Sequence, residues 1–600
     1  MVQGTLKINT EKILPIIKKW LYSDKDIFLR ELVSNACDAL SKLKILREQN
    51  LLEFSDDELK IEITLDKEKK TITIADTGIG MTADEVENYI AQLAFSGAEE
   101  FLSKYQSEQE KDQVIGHFGL GFYSVYMVAS NVEIDTLSFE KGANPAFWSC
   151  DGTTSYTLDQ GKRKMRGTTI TLFIEEEEFL DVNRIREILS RYCAFLPYPI
   201  YLNGDHINHK DPLWLKSPAD CSEKEYLEFY RQLYPLDPDP IFWVHLNIDF
   251  PFHLKGILYF PQIHQRFDFQ KSPIKLFCNR VFVSDNCQDL IPEYLTILRG
   301  AIDSTDIPLN VSRSFLQMDK NVRSLSNHIS KKVADRLATL YRTDKEKFTS
   351  HWEDIETIIK LGIIHDDKFY DRVKDFLIWK NLGGEWTTLP EYLERHPEKI
   401  FYTQDTESPF LHVYQEKKIE VLIAKGPIDT PLMNFLELKL SPAKFQRIDG
   451  GIDPSILDSE REKTLLDADG KTESSKIADF VRSALNIENL EVEAKSLASD
   501  QLPAFLMLDE QTRRMRDTLA LSSKELPPGF ADKKTFVVNT NSPIISSLSK
   551  HPDKELAKEV LTHLYQLAQL SQKELPPKEL SHFIARSTTI LEKFLAKEEA

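Results

Sequence analysis

Cysteine is sparse in this chain of 600 residues: six in all, at Cys37, Cys150, Cys193, Cys221, Cys278 and Cys287. None forms a CxxC pair or sits beside a suitable histidine cluster, which argues against zinc ligation. Such scattered use fits a reducing compartment. Long apolar runs are missing too, and none approaches the ~20 residues that a membrane span needs. The opening stretch, MVQGTLKINTEKILPIIKKW, has no charged-then-apolar-then-small signal pattern. Positive charge is in deficit, with 75 Lys and Arg against 95 Asp and Glu, a net charge of −20 and a pI near 5.3. That balance disfavours a nucleic-acid binder led by phosphate contacts, and it is ordinary for a cytosolic protein. No GxxxxGK[ST] occurs, so a P-loop is out; no internal repeat or low-complexity tract occurs either. The expectation is a soluble, cytoplasmic protein of several domains, since single cores stop growing near ~250–300 residues. Hydrophobic residues make up 41%, ample for those cores.

Residues 1 to about 210 alternate helical and strand patterns. LKIEITLDKEKKTITIAD (59–76) predicts a hairpin by its period-two alternation about a charged turn. RGTTITLFIEE (166–176) predicts a strand, running into the acids Glu175–Glu178, which read as a solvated face. Residues 198–226, rich in turn formers around a lone Trp214, predict a passage between domains. Beyond it the pattern is α/β to about 480. FWVHLNIDFPFHLKGILYFP and IKLFCNRVFVSD predict strands; DLIPEYLTILRGAI and VRSLSNHISKKVADRLATLYR predict helices; residues 440–463 predict a loop. Two amphipathic helices close the chain. One carries Val560, Leu561, Leu564, Leu567 and Ala568, the other Phe583, Ile584, Ile590, Leu591, Phe594 and Leu595.

RELVSNACDAL (30–40) has an apolar face of Leu32, Val33, Ala36, Ala39 and Leu40, and Glu31, Asn35 and Asp38 stack along another line at i, i+4 and i+7. Two readings are open for the helix alone. Asn35 and Asp38 could face solvent while Glu31 pairs with Lys42 or Arg47, or the line could face a ligand. The glycine motifs downstream, ADTGIGM (75–81) and GHFGLGF (116–122), favour the ligand. Each is weak singly, and the second is no Rossmann fingerprint. Together they make a chemical unit. A buried Asp76 can accept from the adenine amine, where guanine would offer a repelling oxygen. Gly78 and Gly80 let backbone lie against the base. Gly116, Gly119 and Gly121 let N–H groups converge on phosphates at the start of a helix, FYSVYMVA. Asn35 offers a carbonyl oxygen to Mg²⁺, and Glu31 one turn away can polarise an attacking water.

RELVSNACDAL, ADTGIGM, GHFGLGFYS and RGTTI, in this order, resemble the ATP site shared by gyrase, histidine kinases, mismatch-repair ATPases and heat-shock protein 90 chaperones, the Bergerat fold. Residues 276–317, LFCNRVFVSDNCQDLIPEYLTILRGAIDSTDIPLNVSRSFLQ, and 536–548, FVVNTNSPIISSL, resemble the heat-shock protein 90 family specifically. The length, with neither a long acidic linker nor an MEEVD tail, resembles its bacterial form. The resemblance implies an α+β multidomain chain. An N-terminal Bergerat-type α/β sandwich ATPase would span 1–212 with a lid at about 88–116. An α/β middle domain would span 222–485, and a mixed C-terminal dimerisation domain ending in helices 490–600. It implies ATP and Mg²⁺ as ligands, with Glu31 activating water, Asn35 holding Mg²⁺, Asp76 and Thr168 binding adenine, and the backbone of Leu120 to Phe122 cradling phosphate. Asp38, Gly78, Gly80, Met81, Asn88, Gly116, Gly119 and Gly121 complete the implied nucleotide set. Arg313 would reach the γ-phosphate, with Gln317 in support.

The lid region departs from the family pattern at Tyr89, Ala91 and Phe95, where many members have asparagine, glycine and lysine, and His117 replaces a frequent glutamine. Slower or differently gated closure is the expectation. The implied function is an ATP-driven chaperone, homodimeric through its C-terminal helices. It would act on unfolded or partly folded clients, with co-chaperones as further partners and neither nucleic acid nor membrane engaged. Residues 261–273, with Phe267 and Phe269, are one candidate client surface, and a buried strand reads equally well there. Three alternatives compete: an ATP-gated DNA enzyme, which the −20 charge disfavours; a histidine kinase, which lacks a phosphoacceptor because the first histidine is His117; and a non-catalytic nucleotide-binding scaffold.

Overall fold

A computed structural model of the chain describes residues 24–52, 58–92, 119–208, 211–250, 252–262, 274–285, 290–307, 320–458, 472–487, 490–521, 534–572 and 574–598. Gly116, His117, Phe95, Arg313, Gln317, residues 93–116 of the expected lid and 263–273 of the expected client surface lie outside these. The chain divides into two compact units, 1–336 and 337–600. No helix among the described residues is long and apolar enough to cross a membrane.

In the first unit, helix α1 (Ile27–Glu48) buries Leu29, Leu32, Val33, Ala36, Leu40 and Leu43 along one stripe. It ends where Asn50 turns left-handed (φ 57°) and the Leu51 N–H reaches back to the Leu46 carbonyl at 2.9 Å. The predicted hairpin forms as β1 (Ile61–Asp66) and β2 (Thr71–Asp76), with Ile61 opposite Asp76. Ile61, Ile63, Ile72 and Ile74 all turn into the core, as the alternation requires. β3 (Ala129–Leu137), β4 (Ala146–Cys150), β5 (Thr157–Gln160), β6 (Gly167–Ile174), β7 (Ile200–Leu202) and β8 (Asp205–His206) complete an eight-stranded sheet in the order β5-β4-β3-β6-β2-β1-β7-β8. Its β1–β7 pair is parallel and the others antiparallel. α1 packs on β1 and β2, and the helix Val182–Tyr192 packs on α1.

A second sheet in this unit runs β12-β11-β13-β10-β9, built from β9 (Phe242–Ile248), β10 (Leu254–Phe260), β11 (Ile274–Cys278), β12 (Val281–Ser284) and β13 (Arg299–Asp303). Here one expectation fails. Residues 290–302 do not form a helix; they make a 3-10 turn, Glu293–Leu295, and then β13. Pro292 is held extended (φ −51°, ψ 142°). At Gly300 (φ +139°) a Cβ would come within 2.0 Å of the Ile257 carbonyl oxygen, so only glycine lets β13 sit against β10. The apolar spacing suited a helix, and the two breakers overrule it.

Trp214, expected on a loose passage, is fully buried. Its ring meets Phe195 at 5.1 Å, Phe277 at 5.1 Å and Phe229 at 5.6 Å, and its indole N–H donates to Asp303 Oδ2 at 3.2 Å. One continuous core runs from Ile27 to Ala301 through this cluster.

In the second unit, β14 (Ile378–Asn381), β15 (Trp386–Thr388), β16 (Lys399–Thr403), β17 (Leu422–Ile423) and β18 (Lys444–Arg447) form a sheet in the order β15-β14-β17-β16-β18. β18 lies inside the expected loop of 440–463: Phe445 is buried and the strand pairs in parallel with β16. A smaller sheet, β19 (Glu491–Lys495), β21 (Lys534–Asn539) and β20 (Ala504–Leu508), carries the helix Lys554–Ser571, on which the helix Pro577–Glu598 packs in turn. Leu561, Leu564 and Ala568 are buried beneath the first. The stripe expected on the last helix divides in two. Phe583 stacks on His563 at 4.9 Å, whereas Leu580, Ile584, Leu591 and Leu595 are exposed, Leu591 by 62%.

Truncating the indole at Trp214→Ala should cost about 3–5 kcal/mol, the range for a large buried aromatic. Urea unfolding followed by fluorescence would measure it, and a change below about 1 kcal/mol would contradict the buried joint.

Candidate nucleotide site

α1 presents its polar line asymmetrically. Glu31 is 8% exposed, Asp38 is buried, and Asn35 alone of the three is open to solvent. Asp38 thus does not face solvent as the first reading had it. Glu31 Oε1 takes two bonds from its neighbour, Arg30, at 3.0 Å from Nε and 2.6 Å from Nη2. Arg30 is itself buried, with its guanidinium 5.8 Å from the Tyr192 ring centroid. A buried charge is tolerated when paired and hydrogen-bonded, and this pair satisfies that condition with adjacent residues.

The second motif enters beside the same helix. β2 ends at Asp76, which is 6% exposed and whose Oδ1 accepts the Gly78 N–H at 2.8 Å. A Cβ on Gly78 would come within 2.6 Å of Ala39 Cβ on α1, and the Ile79 N–H donates to the Ala39 carbonyl at 3.2 Å. Gly80 is left-handed (φ +65°), and a Cβ there would come within 1.9 Å of the Leu137 carbonyl oxygen. The close approach these glycines permit is therefore to protein, to α1 on one side and to the end of β3 on the other. The Met81 N–H is held by Thr136 Oγ1 at 2.9 Å, and Thr136 Oγ1 lies 3.0 Å from Thr168 Oγ1. Thr168, on β6, is buried and lends its own N–H to the Asp76 carboxyl.

The third motif closes on Glu31. Gly119 is left-handed (φ +62°) and Leu120 precedes a 3-10 turn, Gly121–Met127, where an α-helix start was expected. A Cβ on Gly121 would come within 2.2 Å of Glu31 Oε2. At Gly121 the carboxylate of α1 occupies the space of a side chain, so a larger residue there would have to displace Glu31. Phe122 packs inward on Trp148 at 6.0 Å, leaving only its main chain for a ligand. A short 3-10 turn has little macrodipole, so exposed N–H groups and not a helix field are what this end can offer an anion. Asn88 is exposed near the end of a capped helix, Ala83–Tyr89, and accepts from Gln92 at 3.3 Å.

Glu31, Asn35, Asp38, Gly78, Asp76, Thr168 and Gly121 are thus brought to one region from four separated stretches. Arg30 and Thr136 were not legible as members: an arginine beside a glutamate is a common surface pair, and a strand threonine carries no motif. Burial pushes the Asp76 carboxyl up to about 6, with the Gly78 N–H, the Arg163 guanidinium and the Thr168 N–H pulling it partly back. The region holds one buried carboxylate at the edge of ionisation, Asp76, and one paired with a guanidinium, Glu31. Among the described residues no group of three or more His, Cys, Asp or Glu could hold a metal ion. A carbonyl ligand such as exposed Asn35 suits a cation that keeps most of its waters.

Residues 24–186 match the family model described as histidine kinase-, DNA gyrase B-, and HSP90-like ATPase, and residues 203–600 match the one described as Hsp90 protein. Among curated proteins, the chain is 38% identical to Chaperone protein HtpG of Porphyromonas gingivalis, over 95% of this chain and 88% of that protein. It is 38% identical to the protein of that name from Bacteroides fragilis, over 92% and 85% respectively. To that of Escherichia coli it is 33% identical, over 86% and 88%.

The raised Asp76 has a signature in stability. Between its unfolded value near 4 and its folded value of about 6, the native state keeps a proton that the unfolded state has lost. Stability contributed by the neutral acid is present below pH 4 and lost as pH rises through 6. Asp76→Asn removes that loss, so it should stabilise the protein by about 1–3 kcal/mol at pH 7.5 and by almost nothing at pH 4. A variant that melts lower than the parent at pH 7.5 would show that the carboxylate is not strained.

Proposed function

This chain belongs to the Hsp90 family, and on that premise we propose that it is a cytoplasmic ATP-dependent molecular chaperone. It converts ATP and water to ADP and phosphate while acting on unfolded or partly folded proteins. The observation that carries the reading is the contact of Glu31 with Gly121 near the start of α1, and of Asp76 with Gly78 and Thr168 beside Ala39 farther along the same helix. In this reading Asp76 accepts a hydrogen bond from the adenine amine, and Thr168 and Gly78 hold that carboxylate in place. Met81 and Asn88 flank the base side. The main chain of Gly119 to Phe122 lies along the phosphates. Asp38, buried on the helix between the two ends, completes the lining.

Glu31 is the general base. Arg30 grips Oε1 and so fixes the plane of the carboxylate, which leaves Oε2 on the side of Gly121, where the reacting phosphate end would lie. Asn35 would hold Mg²⁺, which when bound would neutralise phosphate charge. Arg313 and Gln317, outside the described residues, would complete the site at the γ-phosphate, a planar fork suited to charge that develops in the transition state. The lid departures at Tyr89, Ala91 and Phe95 would alter the gating of closure, leaving the base pocket intact.

The working form is a homodimer through the last two helices, which opens and closes as ATP is bound and hydrolysed. Support comes from the exposed stripe Leu580, Ile584, Leu591 and Leu595, with Leu567 and Leu570 on the preceding helix. That much aligned apolar surface is unusual on a monomer. Domain limits of 1–212, 222–485 and 490–600 remain part of this proposal.

The test joins phosphate release to suppression of aggregation of a denatured model protein, with and without ATP. The parent should show both, and absence of ATP-dependent protection would leave only an ATPase. Glu31→Ala should keep nucleotide affinity and lose turnover by roughly 10²–10⁴-fold, the usual contribution of a general base. Asp76→Asn should lose binding outright by calorimetry, and near-normal affinity would remove it from the adenine site. Deletion of residues 555–600 should give monomers in sedimentation; a persisting dimer would place the interface elsewhere.

A further inference from the structure

Beside Asp76, the segment between β5 and β6 folds into a compact clasp. Its start is fixed by Asp135 on β3. Asp135 Oδ1 accepts the Lys162 N–H at 3.1 Å and the Arg163 N–H at 3.3 Å, and a Cβ on Gly161 would come within 2.5 Å of that oxygen. Arg163 then turns its side chain back across the clasp. Nε donates to the Met165 carbonyl at 3.0 Å, Nη2 to the Arg166 carbonyl at 3.3 Å and to the Asp76 carbonyl at 2.7 Å, and Nη1 to Thr169 Oγ1. The fit leaves no slack: a Cβ on Gly167 (φ +115°) would come within 2.2 Å of the Asp76 carbonyl oxygen and 2.6 Å of Arg163 Nη2.

We propose that Arg163 is a positioning residue for the adenine base. From outside the pocket it pins the main chain of Asp76 and supplies the positive charge behind the Asp76 carboxylate. The inference rests on the assignment of Asp76 to the base. The geometry makes the guanidinium the common fastener of three elements: the end of β2, the clasp itself and Thr169 on β6, next to Thr168. A planar fork with five donors suits that task, and a lysine could not replicate it.

The charges around Asp76 can be named by element. The clasp contributes Arg163, whose field favours the ionised carboxyl. β3 contributes Asp135, which faces Arg163 and partly offsets it. α1 contributes Asp38 and the Cys37 thiol, the latter held neutral by burial. The other nearby cations are Lys42 on α1, which faces Asp38 and Glu85, and Arg166 on the clasp; neither acts on Asp76 as Arg163 does, so removing Arg163 makes the Asp76 proton harder to lose.

The experiment is ADP calorimetry on the full chain from pH 5 to 9. In the parent, affinity is expected to fall about tenfold per unit below pH 6, where Asp76 gains its proton. In Arg163→Gln the midpoint should move up by about one unit, with a loss approaching tenfold below pH 6 that closes above about pH 8. Arg163→Lys keeps the charge and loses the fork, so its midpoint should match the parent while affinity drops several-fold at every pH. It also serves as the test should the glutamine variant fail to fold. A glutamine variant with the parent's midpoint, or a lysine variant with a shifted one, overturns the role of Arg163 and leaves the adenine assignment standing. A parent that takes up no ADP at any pH overturns both.

Discussion

The candidate site depends on a carboxylate held almost wholly out of water. Asp76 is buried at the end of a sheet strand, and its charge is countered by two main-chain N–H groups and a guanidinium, which together do not fully offset the desolvation. A stable fold has no need of such a group: an apolar or amide side chain would fill the place at less expense. The packing around it is arranged to hold it nonetheless. Gly78 and Gly80 lack side chains so that the turn after Asp76 can be wedged between α1 and β3. Thr136 ties Met81 to Thr168. Strain of this kind, over-determined by its neighbours, is typical of binding sites.

Much of the fold was legible in the sequence, and the exceptions have separate causes. The β1–β2 hairpin could be read because its alternation is strict and its turn charged. α1 could be read because its apolar stripe runs for six turns. Residues 290–302 could not, because the spacing of Leu290, Ile291, Leu295, Leu298 and Ile302 suits either period and only Pro292 and Gly300 decide. β18 escaped notice as a four-residue strand in a polar stretch, since pairing with β16 supplies the preference that its own composition lacks.

The site was legible in its motifs and less so in its physics. Asp76, Gly78 and Thr168 are in contact, and so are Gly121 and Glu31, as two clusters beside one helix. Yet the glycines were expected to clear room for a ligand, and at 78, 80 and 121 the room is filled by Ala39, Leu137 and Glu31. A motif records that a side chain is forbidden and is silent on what forbids it. Arg163 carried no signal at all, being 87 residues from Asp76 and part of no motif. Arg30 was hidden by its ordinariness beside Glu31.

The aromatic knot at Trp214 has a dynamic corollary. Phe277 of β11, Phe229 of the helix Glu223–Leu233 and Phe195, just past the helix Val182–Tyr192, surround it, Asp303 at the end of β13 holds its indole, and the core they share takes in the inner faces of both sheets of the first unit. Neither sheet can shed its inner face without exposing the other's. Amide protons deep in β2 and in β10 should accordingly exchange by one shared opening event, with equal free energies, so that thermal motion in the nucleotide-bearing sheet is felt at once by its neighbour.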